Sequence, residues 1–510
     1  MSAPSAKMPT RARCEATAFE PATAVSVDAG AGGGVDVAVV GGGITGLAAA
    51  LRLAERPGRT WTLLEESERL GGKIRTERDG DFLIEGGPDC FLSSKPGGLA
   101  LCRELGVEDR LIGTIPELRR SFVKRAGRLH PLPEGISGLV PSRLLPLLAT
   151  STLSVRGRLR AAGELLVPRR RASGEQPIAR FVSRRFGREA YEWLVEPLLG
   201  GIYAGDGEQL SLEATFPQLA RAEREEGSLL ARMLLAKARS WLGSGAGMPV
   251  RSGFVTPRAG LGDLVATLAA RLPARSVRTG VSVVGLEPRG SRYRLALSDG
   301  RSLECAVAIL AVPAPVAARL LEPLDSRLAA ELSEIPFVST AIASVGFAPG
   351  VLGDGSGARA IDGYGYVSPR AEGGAIVACS CTTNKFQDRA APGAVLLRFF
   401  LGRAGRDQVV AAGDEEIRAL VRDELREVLK VEAEPTSWRI FRWPQALPQY
   451  NLGHCARLDR LTALLRDRPG LLLAGASYRG VGIPDCVESG WRAARRALAI
   501  VADRAASASS

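Results

Sequence analysis

The chain has 510 residues, 45% of them hydrophobic and 5% aromatic, with a formal net charge of +12; that length supports two or three domains with a large core. Its positive balance favours acidic partners, but no aromatic-basic or recognition-helix pattern is present, so nucleic acid is not expected. Only two histidines, His130 and His454, occur, which argues against a histidine-built zinc centre or a Ser-His-Asp hydrolase.

Residues 1–34 are rich in Ala, Ser, Gly and Pro, without a signal-peptide core, and carry Glu15, Glu20 and Asp28 against a transit peptide; a disordered tail is expected. The β-branched run Val35–Val40 then leads into Gly41, Gly42, Gly43, Ile44, Thr45 and Gly46. This is a strand, a glycine turn and a helix start in one frame. Gly41 permits the turn, Gly43 lets the backbone approach a pyrophosphate, and Gly46 lets helix pack on strand. The helix N-terminus offers unpaired N–H groups to phosphate. A second strand, Trp61–Leu64, ends at Glu65, where a carboxylate holds ribose hydroxyls. Arg69, Gly71, Gly72 and Lys73 suit a loop over a diphosphate.

Phe82–Glu85 reads as a strand running into the turn Gly86–Asp89. From Gly98 to Thr215 the pattern is mostly helical. The stretch from Gly135 to Val155 is apolar, interrupted by Pro141, Arg143 and Pro146, and followed by Arg156, Arg158, Arg160 and Arg169–Arg171. Such a patch fits a surface dipping into an anionic leaflet, or a core helix with a solvated basic face. Thr256–Leu272 reads as a helix, and Val281–Leu286, Tyr293–Leu297 and Ser302–Leu310 as strands. Thr340–Phe347, Gly374–Cys379 and Ala394–Leu401 suggest a further sheet, with a helix at Asp414–Leu429. The eight cysteines form no CxxC pair and read as reduced thiols of a cytosolic protein. No run of eighteen apolar residues occurs to cross a membrane.

Near the C-terminus a buried strand, Gly470–Gly475, precedes Tyr478–Cys486 and a helix at Val487–Ala502. A second helix end at a glycine turn can stabilise electron-rich positions of a flavin ring. The expected fold is therefore α/β: a Rossmann-type domain built from both chain ends (35–98, 254–313 and 436–503). An inserted mixed-sheet substrate domain (216–253 and 314–435) and a helical, candidate membrane-facing domain (99–215) complete it, with 504–510 as a tail.

These pieces resemble the flavin amine oxidase superfamily and, within it, the oxygen-dependent porphyrinogen oxidases of haem biosynthesis. The resemblance spans Val35 to Ala502. It is carried by Val39–Gly46, Glu65–Thr76, Glu85–Phe91, Glu196–Asp206, Ser211–Pro217, Trp443, Pro448–Tyr450, Gly453–His454 and Gly480–Cys486. It implies FAD as cofactor. Gly41, Gly43, Gly46 and Glu65 would hold its ADP part, and Arg69, Gly72 and Lys73 its diphosphate. Gly87 and Pro88 would sit by the isoalloxazine ring, the Val283 backbone would meet adenine, Trp443 would flank the cofactor, and Val481, Gly482 and Ile483 would approach the flavin.

It further implies removal of six electrons from a porphyrinogen, two at a time, with dioxygen as acceptor and hydrogen peroxide released. No catalytic base is assigned. A substrate propionate would meet Arg120, with Arg119 as the alternative, because an Arg fork suits a carboxylate. Gly201 would line the substrate pocket, and Tyr366 is expected to face it. Lys95, Lys124, Arg125 and Arg128 offer charge for the extra carboxylates of coproporphyrinogen III, the favoured substrate, with protoporphyrinogen IX as the alternative. A membrane surface and a downstream haem-pathway enzyme are candidate partners. An amine or isoprenoid oxidase and a non-catalytic flavoprotein remain as rival readings.

Overall fold

The computed structural model describes residues 34–133, 136–137, 140–141, 144–170, 172, 174–230, 253–352 and 361–509. The expected N-terminal tail lies outside these residues up to position 33, as do Gly135, Arg143 and Arg171.

The strand Val35–Val40 is buried along its last four residues because it lies in the middle of a sheet, where β-branched side chains pack on both faces. It pairs in parallel with Trp61–Leu64 on one side and with Ser302–Leu310 on the other. Val277–Arg278 extends the first edge. Ser302–Leu310 has two neighbours along its far edge. Its first half pairs antiparallel with Arg292–Leu297, through Tyr293↔Cys305 and Leu295↔Leu303. Its second half pairs in parallel with Leu471–Leu473, through Ala308↔Leu471 and Leu310↔Leu473. The last strand of the chain thus joins the first in one seven-stranded sheet. The parallel strands run out at one edge, at Gly41, Glu65, Ala311 and Ala474, and ligands of open α/β sheets bind at that edge.

Helices Ile44–Ala54 and Ile483–Ser509 cross on one face of this sheet. At the crossing, a Cβ on Gly490 would lie 2.2 Å from Thr45 O and 3.1 Å from Ala49 N, so only glycine permits the approach. Ala48, Ala49, Ala494 and Ala497 line the seam. The C-terminal helix starts at Ile483 and runs through Ser509, which replaces both the expected start at Val487 and the expected tail after residue 503.

A second seven-stranded sheet runs in the order Ser437–Pro448, Phe337–Phe347, Val395–Leu401, Ile376–Cys381, Gly365–Val367, Ser121–Arg125 and Arg128–Pro131. Helix Asp414–Glu427 packs into its core through Ile417, Val421 and Leu425. Two expected boundaries change here. The hairpin at 121–131 belongs to this sheet rather than to a helical segment, and so does Ser437–Pro448 rather than the Rossmann-type part. Thr256 lies in a strand, Phe254–Pro257, before a helix that starts at Leu261.

The helical part packs Leu147, Leu153, Phe181, Phe186, Leu194 and Leu199 into its own core. Arg185 sits fully buried between Glu164 and Glu223, and Glu164 also accepts from Leu229 N at 3.0 Å. Leu147 and Leu153 are therefore core residues, not surface. Among the described residues of this part the exposed large apolar side chains are Val155 (63%), Leu159 (65%), Leu165 (42%), Leu166 (88%) and Ile202 (53%). Among the described residues no helix is long and apolar enough to cross a membrane.

The helix crossing generates a test. Gly490→Val must force two backbones apart, a change that costs about 1–3 kcal/mol in a packed core. A lower unfolding temperature by calorimetry is expected; an unchanged one would mean the helices do not meet at this residue.

Candidate functional site

The three glycines of the opening turn do different physical work. Gly41 has φ +105°, and a Cβ there would sit 2.7 Å from Ala311 O. A Cβ on Gly46 would sit 1.9 Å from Gly41 O, so helix and turn touch backbone to backbone. At Gly43 a Cβ would meet nothing within 4 Å. That open space lies at the N-terminus of helix Ile44–Ala54, which has no side-chain cap and no acidic residue in its first turn. Unsatisfied N–H groups and the positive dipole end converge there, as a diphosphate requires. Gly71 N donates to Gly42 O at 2.8 Å, and a Cβ on Gly72 would lie 3.2 Å from Gly43 Cα. The second glycine loop therefore crosses the first by backbone contact.

Glu65 is buried at the end of its strand. Its Oε2 accepts from Gly42 N at 2.6 Å and its Oε1 from Ser67 N at 3.0 Å. Val281 N donates to Glu65 O at 2.9 Å, which brings the start of strand Val283–Arg289 to the same edge. Arg69 acts indirectly. Its guanidinium donates to Gly72 O at 2.5 Å and to Ile74 O at 3.1 Å, so it shapes the glycine loop. Lys73 is half-buried, burial lowers its pKa, and the Cys486 thiol is its titratable neighbour.

Beyond Lys73 the loop Glu85–Asp89 is gripped from several sides. A Cβ on Gly87 would fall 1.9 Å from Lys73 O. Trp443 Nε1 donates to Gly86 O at 2.7 Å, and Arg398 Nη2 to Gly87 O at 2.6 Å. Asp89, next to Pro88, pairs with Lys385 at 2.9 Å and Arg398 at 3.2 Å. Burial alone would raise its pKa, but Lys385 and then Arg398 outweigh it and hold the carboxyl far below the usual range. Spacing gives no signal for these partners, because they lie some three hundred residues away.

The turn before the C-terminal helix is equally fixed. Gly482 N donates to Asp485 Oδ2 at 3.2 Å, and Lys95 pairs with Asp485 at 2.5 Å. With the helix starting at Ile483, its positive end falls at Val481–Ile483. His454 Nε2 lies 2.9 Å from Tyr478 O, so Nε2 carries the proton. Its ring stacks on Tyr450 at 4.3 Å, and Tyr450 Oη donates to Ala476 O. Burial lowers the His454 pKa and keeps the imidazole neutral. In the sequence the tyrosine and histidine carry resemblance alone; their grip on this turn is structural information.

On the substrate side, Gly201 lies in helix Glu196–Tyr203. A Cβ on it would sit 3.3 Å from Val367 Cγ1 and 3.7 Å from Ala378 Cβ. Tyr366 is corrected by this contact. Successive strand residues face opposite ways, so with Val367 toward Gly201, Tyr366 points into the other face. It is 2% exposed and donates to Glu424 at 2.6 Å. Arg120 is exposed and paired with Asp362 at 2.6 Å; Arg119 is also exposed. Lys124 is committed to Glu424 at 2.8 Å and Lys95 to Asp485. Arg125 donates to Thr152 O and lies 4.3 Å over Trp193. These three do not supply the free charge expected of them.

The contrast between glycines makes a paired prediction. Gly43→Ala adds a methyl group to open space, so the apoprotein unfolds at its usual temperature but retains less dinucleotide through gel filtration. Gly46→Ala forces the turn off the helix and lowers the unfolding temperature itself. Equal behaviour of the two variants would contradict this division of roles.

Comparison with known proteins agrees with this geometry. The family model for flavin containing amine oxidoreductases matches residues 44–498. The chain is 35% identical to coproporphyrinogen III oxidase of Bacillus subtilis (strain 168), over 91% of this chain and 97% of that protein. It is 33% identical to protoporphyrinogen oxidase of Bos taurus, over 91% and 98%. A solved structure from Exiguobacterium sp. 255-15, described as a candidate protoporphyrinogen oxidase, superposes with a TM-score of 0.80 at 32% identity, covering 92% and 99% of the two chains. The open cradle at Gly43, the buried Glu65 and the second helix end at Ile483 fit a flavin dinucleotide. The protein is an FAD-dependent oxidoreductase that belongs to the flavin-containing amine oxidoreductases, in their porphyrinogen oxidase branch.

Proposed function

We propose that the protein oxidises coproporphyrinogen III to coproporphyrin III, with dioxygen as electron acceptor and hydrogen peroxide as by-product. The observation that carries this reading is the likeness to the Bacillus subtilis coproporphyrinogen III oxidase along nearly its whole length. The substrate loses three hydrides from meso carbons and three protons, two from pyrrole nitrogens and one from the fourth meso carbon, six electrons in all. Three dioxygen molecules each take two electrons and two protons, which closes the balance with three hydrogen peroxide molecules. FAD, when bound, supplies the two-electron acceptor.

The residues of this chain bind and orient. Gly41–Gly43, Glu65 and Gly72 form the nucleotide cradle. Lys73 adds a charge between the cradle and the C-terminal helix. Trp443 and Arg398 fix the carbonyls of Gly86 and Gly87, and His454 and Tyr450 fix those of Tyr478 and Ala476. His454, buried against a carbonyl, is not available as a base, and pyrrole protons pass to solvent. Arg119 and Arg120 are the candidate propionate partners, with Asp362 displaced from Arg120 on binding. Gly201 keeps the pocket wall free of a side chain.

The same proposal includes contact with an anionic membrane surface. Val155 and Leu159 share a helix face, Leu165 and Leu166 continue it, and the exposed Arg156 and Arg169 flank it. Apolar insertion beside arginines suits an anionic leaflet.

Two measurements test these readings. Coproporphyrinogen III and protoporphyrinogen IX, each prepared anaerobically and given to the yellow protein in air, should show faster porphyrin fluorescence and peroxide from the first. The reverse preference would make protoporphyrinogen IX the substrate, and turnover of neither would defeat the assignment. In flotation, the wild type should rise with phosphatidylglycerol vesicles, and Leu159→Ser combined with Leu166→Ser should remain behind. A wild type that stays at the bottom excludes the membrane contact.

A further inference from the structure

We propose that the largely buried Lys385–Asp89–Arg398 cluster is a fixed net positive charge that makes the bound flavin easier to reduce. The inference rests on the reading that the flavin ring lies between Gly87–Pro88 and Val481–Ile483. Both segments adjoin Lys73: a Cβ on Gly87 would lie 1.9 Å from Lys73 O, and the Cys486 thiol, just after Ile483, is the titratable neighbour of its ammonium group.

Arg398, on the strand Val395–Leu401, is 1% exposed. It holds both the Gly87 carbonyl and the Asp89 carboxylate. That pair alone would anchor the loop and cancel its own charge. Lys385 then adds a second cation to the same carboxylate. Burying an ammonium group is costly, and this one gives no hydrogen bond to Gly87 or Pro88. It also donates to Cys90 Sγ at 3.4 Å, and the rings of Phe254 and Phe386 lie 5.4 and 5.1 Å away, which solvate a cation without cancelling it.

The neighbours leave the sign unchanged. Cys90 Sγ donates to Asp89 Oδ1 at 3.0 Å. Burial and then Asp89 push that thiol up to about 12, so it stays neutral. Arg389, also 1% exposed, donates to Pro257 O, Arg258 O and Thr256 Oγ1, so among the described residues it brings a further positive charge without a paired carboxylate. Glu85 is the other buried carboxyl, held by Thr76 Oγ1 and Leu261 N. Burial first of all raises its pKa to about 7, against those hydrogen bonds and both arginines, so it is only partly charged near neutrality. Arg258 and Asp388 pair with each other at the surface. Reduction places negative charge on the flavin, and a positive charge in a poorly screened interior favours it.

The test is the midpoint potential of the holoenzyme, measured by dye equilibration during anaerobic reduction. Lys385→Met removes the excess cation, so the potential falls. Asp89→Asn removes the carboxylate, so the potential rises. Arg398→Lys keeps the charge and loses the fork to Gly87, and should shift the potential less than Arg398→Met. Opposite signs for the lysine and aspartate variants support the proposal, because a loosened loop would move both the same way. Shifts of one sign, or none, overturn it. If Asp89→Asn does not fold, a potential in Lys385→Met that is unchanged or higher overturns the proposal by itself. Wild-type protein without a flavin spectrum would instead defeat the cofactor reading, which keeps the two failures distinct.

Discussion

The strand Ser302–Leu310 has to serve two neighbours along one edge, and the site depends on that division. Its first half is occupied by an antiparallel meander, and its second half is left for Leu471–Leu473. The hydrogen bonds that follow, Ala311 N to Val40 O and Ala474 N to Leu310 O, bring three turns to one sheet edge. Two of these turns lead directly to helices, Ile44–Ala54 and Ile483–Ser509. Without the split pairing, the turn at Gly475–Gly482 would have no fixed position relative to Gly41–Gly46. The helix crossing at Gly490 then sets the approach of the two helices through backbone contact rather than through adjustable side chains.

The second sheet completes what the first one starts. Trp443, on the strand Ser437–Pro448, and Arg398 hold two successive carbonyls of the Gly86–Gly87 turn. Tyr450 and His454, just beyond that strand, hold two carbonyls of the turn before the C-terminal helix. Each side chain reaches from one sheet to a turn of the other. Ionic contacts follow the same pattern in Lys385–Asp89 and Arg398–Asp89. A movement between the sheets would therefore disturb carbonyl orientation in both turns.

What can be read from sequence is local. Val35–Gly46 and Glu65 state a strand, a turn, a helix and an acid within one βαβ unit, and the structure forms these elements as read and buries the acid at the strand's end. Trp61–Leu64 and Ser302–Leu310 appear with the expected ends. Expectation and structure part where long-range packing decides. Tyr366 falls on the other face by one residue of strand alternation. The helix starts at Ile483, four residues upstream of the expected position, because Asp485 accepts from Gly482 N and supports the first turn. Lys95 and Lys124 look like free charge in the sequence because Asp485 and Glu424, their partners, are distant in the chain. Asp89 is visible as a motif residue, but nothing near it announces two buried cations.

These differences share a direction. Sequence reading overestimates the charge available to an acidic substrate and underestimates the charge fixed inside the protein. Of the cations expected to meet carboxylates, Arg119, Arg120 and Arg128 remain on the surface, Arg120 paired with Asp362, while Lys95 and Lys124 are paired with Asp485 and Glu424. Inside, Lys385, Arg389 and Arg398 gather close to Glu85–Asp89, and among the described residues Asp89 pairs with Lys385 and Arg398. A pair of exposed arginines in water contributes little energy on its own and suits reversible binding of a propionate. Buried cations are weakly screened and act over longer distances. In the proposed function, substrate capture falls to the surface and electron affinity to the interior. The strands of the second sheet connect the two, since Val367 faces Gly201 and Arg398 holds Gly87 within the same sheet.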